Sequence, residues 1–94
     1  MSTVRTVERR IFKVEGFRVA VLHPDGRNVR GDRERLPPYP HTRAMPNRSN
    51  IKTWKERRFE PVYPGFDVDV IGRDGRRVHG GTLLETVRAE YLPR

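Results

Sequence analysis

Gly16-Phe17-Arg18-Val19-Ala20-Val21-Leu22-His23-Pro24-Asp25-Gly26-Arg27-Asn28-Val29-Arg30-Gly31 is the stretch that decides how this chain is read. It returns as Gly65-Phe66-Asp67-Val68-Asp69-Val70-Ile71-Gly72-Arg73-Asp74-Gly75-Arg76-Arg77-Val78-His79-Gly80. At a constant offset of 49, nine of the sixteen positions are identical, and Leu22 meets Ile71. Upstream, Glu8-Arg9-Arg10 matches Glu56-Arg57-Arg58 and Val14 matches Val62, at an offset of 48. Two hairpins built on Asp-Gly share some likeness by chance, but the Glu-Arg-Arg and Gly-Phe matches exceed it. The reading is two similar units, 6–31 and 54–80, joined by a proline-rich connector over 36–50.

Within each unit the apolar residues alternate. Phe17, Val19 and Val21 lie two apart, as do Phe66, Val68 and Val70, which is the period of a half-buried strand. Asp25-Gly26 and Asp74-Gly75 then supply residues that tolerate positive φ in a tight turn. Val29 and Val78 mark the returning strands. These eight residues are the expected core. Position 18 is Arg where its counterpart 67 is Asp, so opposite charges are expected to help the two copies pair.

Residues 6–14 are expected to be a strand. Val4, Val7, Ile11 and Val14 also fit helical spacing, but the stretch is β-branched, and its counterpart 57–64 holds Pro61 and Pro64, which break helices. Thr82-Leu83-Leu84-Glu85 is a capping-box pattern that opens a helix over 83–91, with Leu83, Leu84, Val87 and Tyr91 inward. The expected fold is therefore α+β: two duplicated antiparallel β-hairpins in one sheet or small barrel, with a C-terminal helix.

The composition narrows the function. The 94 residues carry 20 Lys or Arg, 12 Asp or Glu and no cysteine, a net charge of +8. No disulfide framework or Cys-based zinc site is available. The longest apolar run, Val19 to Leu22, is far below the ~20 residues of a membrane span, and the N-terminus lacks the apolar region of a secretory signal. The expected location is the cytoplasm, with no membrane partner. Residues 1–35 carry a balance of +4, residues 36–58 a balance of +5 and residues 59–94 a balance of −1. A lopsided basic distribution steers polyanions or an acidic protein surface.

The candidate nucleic-acid contacts are Arg9, Arg10, Arg48, Lys52, Trp54, Lys55, Arg57 and Arg58. Cations neutralise phosphates while an indole stacks on an exposed base, and Trp54 is the only tryptophan. The competing role for Trp54 is a core plug; for the arginine pairs it is a solvated edge balanced by Glu8 and Glu56. Tyr39 in Pro37-Pro38-Tyr39-Pro40 suits a polyproline II ligand, though a stiff linker is the preferred reading. Catalysis has little support: His23, His41 and His79 lack metal-ligand spacing, and Asp67 with Asp69 serve arginines more readily than a divalent ion. No cofactor or metal is expected. The expectation is a small non-enzymatic nucleic-acid binder, DNA or RNA, held mainly by electrostatics. The alternatives are a protein-interaction module, such as an inhibitor or assembly subunit, and a homodimer.

Overall fold

The computed structural model describes residues 2–92. Its elements are α1 (Val4–Glu15), β1 (Arg18–Leu22), α2 (Ile51–Trp54) continuing into a π-helical turn (Lys55–Phe59), β2 (Asp67–Ile71) and α3 (Leu84–Ala89). The expected strand over 6–14 is a helix. Thr3 Oγ1 accepts from the Thr6 N–H at 3.2 Å to start it, and Gly16, at φ 85°, donates its N–H to Phe12 O to close it. Val4, Val7, Ile11 and Glu15 are buried along one side. Burial of that stripe outweighs the weak β preference of its valines, because packing supplies most helical stability in proteins.

The second unit follows suit. Asn50 caps α2 by accepting from the Thr53 N–H at 2.8 Å, and the helix widens into the π turn, where Glu60 N–H reaches Lys55 O at 2.9 Å. Pro61 excludes helix only from its own neighbourhood onward; the turn ends at Phe59, ahead of it. A π turn accommodates one extra residue. Val4 and Ile51, the first residues after the caps, lie 47 apart, whereas buried Ile11 and Phe59 lie 48 apart.

The expected pair of hairpins in one sheet or barrel is also corrected. The Asp-Gly turns form: Gly26 and Gly75 have φ of 90° and 88°, and Asp25 and Asp74 accept from the N–H groups of Arg27 and Arg76. But each returning segment meets its strand at one isolated bridge, Leu22 with Asn28 and Ile71 with Arg77. The sheet has two strands, β1 antiparallel to β2, and is open. Its register pairs Arg18 with Ile71, Ala20 with Asp69 and Leu22 with Asp67, so Arg18 does not face Asp67. Apolar packing sets this pairing: Val19, Val21, Val68 and Val70 are all buried.

Several backbone bonds recur 49 residues apart. Val29 N–H donates to Val21 O as Val78 N–H does to Val70 O; His23 N–H donates to Arg27 O as Gly72 N–H does to Arg76 O.

At the C-terminal end, α3 is shorter than expected and Thr82 does not cap it. The cap is Leu83, with no side-chain bond; its backbone bridges Asn50 and it is 44% exposed. Leu84 and Val87 point inward. The connector has no helix or strand of its own, yet Leu36, Tyr39 and Met45 are buried.

Seven of the eight expected core residues are buried and Phe66 is half-buried. The centre, however, is aromatic: Trp54 stands edge-on to Phe17 at 5.1 Å, and Phe59 bridges Trp54 to Tyr63. The Tyr63 hydroxyl is buried without a partner among the described residues, and burial raises its pKa to about 12. An unpaired buried hydroxyl costs about 1–3 kcal/mol. Tyr63→Phe should therefore raise stability by about 1 kcal/mol, read as a higher urea midpoint at unchanged slope.

Candidate nucleic-acid interface

The structure separates the eight expected contact residues. Trp54 is 0% exposed, and its indole N–H donates to the Tyr39 hydroxyl at 3.1 Å. A fully enclosed indole offers no face to a base, so the stacking role is withdrawn. Arg58 turns inward as well. Its guanidinium donates to Glu15 Oε2 at 2.7 Å and to the Arg43 carbonyl at 2.5 Å.

Glu15 is the centre of a buried polar hub. Its carboxylate also accepts from the Tyr39 hydroxyl at 2.5 Å, the Met45 N–H at 2.9 Å and Arg88 Nη2 at 3.3 Å. Arg88 further donates to Glu15 O, Met45 O and Asn47 Oδ1. Burial works against the charge on Arg58, but the bond and charge of Glu15 prevail and hold its pKa above the usual value. For Arg88, burial prevails, with repulsion from Arg58 adding to it, and the pKa falls. The Tyr39 hydroxyl is pushed upward by burial and by the adjacent Glu15 carboxylate. This hub secures the connector to α1 and α3, and it takes Tyr39 away from any polyproline-groove partner.

The remaining cations fall into two groups. Arg9 and Arg57 are exposed on α1 and the π turn, and Arg10 is half-buried on α1. Arg48 is exposed in the turn before α2. Lys52 and Lys55 instead line a groove of about 660 Å³ between α2 and its π turn, β2 and residues 77–81. Lys55 Nζ pairs with Asp67 at 3.1 Å and Arg77 with Asp69 at 3.4 Å.

Treating 6–14 as a strand hid the most coherent basic surface. On α1, Arg5, Arg9 and Lys13 are all exposed, four residues apart, so they form one stripe rising about 6 Å per step. None makes an ion pair among the described residues. The two acids of α1 are turned away: Glu15 lies in the hub, and Glu8 accepts from the Val21 N–H at 2.9 Å. Burial raises the Glu8 pKa, with the Val21 bond and Arg5 opposing. Beside the stripe, Phe12 is 36% exposed, but Arg18 covers one approach at 5.6 Å and Tyr91 another at 5.5 Å. Helical periodicity at 5, 9 and 13 was the available signal.

The histidines stay apart from one another. His41 stands against Tyr39, His23 lies near Phe66, and His79 Nδ1 accepts from the Gly81 N–H. Among the described residues, no three His, Cys, Asp or Glu side chains are grouped to hold a metal ion, and no helix is long and apolar enough to cross a membrane. Comparison with protein-family models, with curated proteins and with solved structures finds no match to this chain.

Proposed function

We propose that this chain is a non-enzymatic nucleic-acid-binding protein that contacts phosphates through the solvent side of α1. The observation that carries the reading is the stripe Arg5, Arg9 and Lys13, unpaired among the described residues, with both acids of the helix occupied elsewhere. Three cations on one helical face span about 12 Å, and a helix of this kind fits the major groove of a duplex, itself about 12 Å wide. With the indole inside the protein, affinity comes from phosphate neutralisation and is weakly selective for sequence. Arg10, Arg48 and Arg57 add to the field that brings a polyanion in. Such a partner is met in the cytoplasm.

Fluorescence anisotropy with labelled duplex DNA, single-stranded DNA and RNA across a salt series tests the reading. Binding should weaken along a straight log–log line. Replacing Arg5, Arg9 and Lys13 together by Gln should flatten the duplex slope by about 2.7, which is about 0.9 per lost phosphate contact. Absence of binding at low salt overturns the proposal and assigns the stripe to an acidic protein surface.

A further inference from the structure

The first unit gathers arginines where the second has none. His23, Val29, Arg30, Asp32 and Arg33 line a pocket of about 300 Å³ between the first Asp-Gly turn and the start of α1. At the offset of 49 the same places hold Gly72, Val78, His79, Gly81 and Thr82. The backbone frame is common to both units. Val4 N–H donates to Arg33 O and Arg5 N–H to Gly31 O, as Ile51 N–H does to Thr82 O and Lys52 N–H to Gly80 O. Only the side chains on that frame differ.

Gly31 joins the α1 stripe to this pocket. A methyl group added there would stand 3.3 Å from the Arg5 guanidinium, so the bare glycine lets Arg5 lie against the loop between Arg30 and Asp32. At Gly80 the same methyl would meet Lys52 only at its Cβ, 3.7 Å away. Arg33 is exposed, makes no ion pair among the described residues and holds its guanidinium 5.0 Å from the centre of the Phe66 ring. His23 approaches that ring at 6.4 Å. Arg30 pairs with Asp32 at 3.1 Å, both well exposed; a guanidinium has five N–H donors, so others remain for a ligand.

We propose that this pocket binds a phosphate monoester, supplied as a terminal phosphate of the nucleic acid that α1 holds; that source rests on the nucleic-acid reading, the pocket itself does not. Arg5, Arg30 and Arg33 stand there against the single carboxylate of Asp32. An excess of planar guanidinium forks suits phosphate, which they meet with paired hydrogen bonds, and the His23 imidazole adds an N–H donor. A phosphate monoester carries about −1.5 to −2 at neutral pH, more than the roughly −1 of an internal diester, so this cluster favours a chain end. A chain end enters a pocket, whereas a continuous backbone tracks an exposed stripe such as Arg5, Arg9 and Lys13. The volume is at the lower end of small-molecule sites, about 300–1,000 Å³. A free nucleoside monophosphate offers the same chemistry, and the experiment separates the two sources.

The test combines anisotropy on labelled blunt duplexes bearing a 5′-phosphate, a 3′-phosphate or neither with NMR titration of the whole 15N-labelled chain by adenosine 5′-monophosphate and by adenosine. A terminal phosphate should tighten duplex binding about tenfold or more, as expected for gaining charged hydrogen bonds. The Arg30 and Arg33 amides should move with the monophosphate and stay with adenosine. Arg30→Gln combined with Arg33→Gln should remove both effects, while Arg27→Gln, which takes a cation from the adjoining turn, should keep them. Amide shifts with the monophosphate but equal affinity for all three duplexes support the pocket and overturn its nucleic-acid source. Amide shifts without any duplex binding at low salt support the pocket and overturn the reading of α1. Unmoved amides with equal duplex affinities, or effects that survive the double substitution, overturn the pocket and leave the α1 reading standing.

Discussion

Glu15→Gln is expected to cost about 3–5 kcal/mol, the range for breaking a buried ion pair by removing one partner. Arg58 and Arg88 are only 18% and 15% exposed at their side chains, and among the described residues Glu15 is the one carboxylate that both touch. The amide leaves two guanidiniums facing each other with no anion, and its own NH2 group can no longer accept from Tyr39 or Met45. At ~0.05–0.15 kcal/mol per residue, a chain this long has about 5–14 kcal/mol in total. The variant therefore sits near the edge of folding. Urea denaturation measures the loss, and hydrogen exchange should show the connector around Tyr39 and Met45 losing protection first. Tyr39→Phe, which keeps the carboxylate but leaves the buried Trp54 N–H without its acceptor, should cost about 1–3 kcal/mol. A Glu15→Gln midpoint within 1 kcal/mol of the parent contradicts the hub as the fastening of the connector.

Trp54→Ala is expected to cost about 3–5 kcal/mol, because it empties the place where Phe17, Phe59 and the Tyr39 hydroxyl meet. Loss of cooperative unfolding is the expected readout. The milder Trp54→Phe keeps an aromatic ring in the core, losing the N–H given to Tyr39 and part of the ring volume, for about 1–3 kcal/mol. Its nucleic-acid affinity and salt slope should equal those of the parent, since the indole touches no solvent. A Trp54→Phe protein that folds but binds duplex tenfold more weakly would return the indole to the binding surface.

The parts legible in the sequence were those governed by neighbours a few residues apart. The valines of β1 and β2 announce their strands by alternation, and Gly26 and Gly75 announce their turns because positive φ is cheap only there. The α1 stretch carried both signals, helical spacing and β-branched residues, and the proline argument from 57–64 tipped it the wrong way. Pairing across units instead of within each hairpin has no local signature, since the same valines satisfy either. Glu15 was invisible for the same reason: its partners Tyr39, Met45, Arg58 and Arg88 lie 24, 30, 43 and 73 residues away. Arg58 and Trp54 were counted as surface because they sit among cations. Fold and core were therefore partly readable, and the candidate interface was found only after α1 was seen to be helical.

The β1–β2 pairing has a consequence for the order in which the chain folds. Its closest register pair, Leu22 with Asp67, is 45 residues apart, and its most distant, Arg18 with Ile71, is 53. Helix α1 and the Asp-Gly turns can form from local contacts within microseconds, whereas the sheet must wait for a long loop to close. During synthesis β1 has no partner until residue 71 is free of the ribosome. One bridge to Asn28 and the Glu8 carboxylate cover only its opposite edge, so the edge that β2 later pairs is bare until then. That interval is when an unpaired strand is most exposed to pairing with another nascent chain. Chains halted before residue 67 should aggregate, and slowing translation through 36–66 should lengthen the exposure.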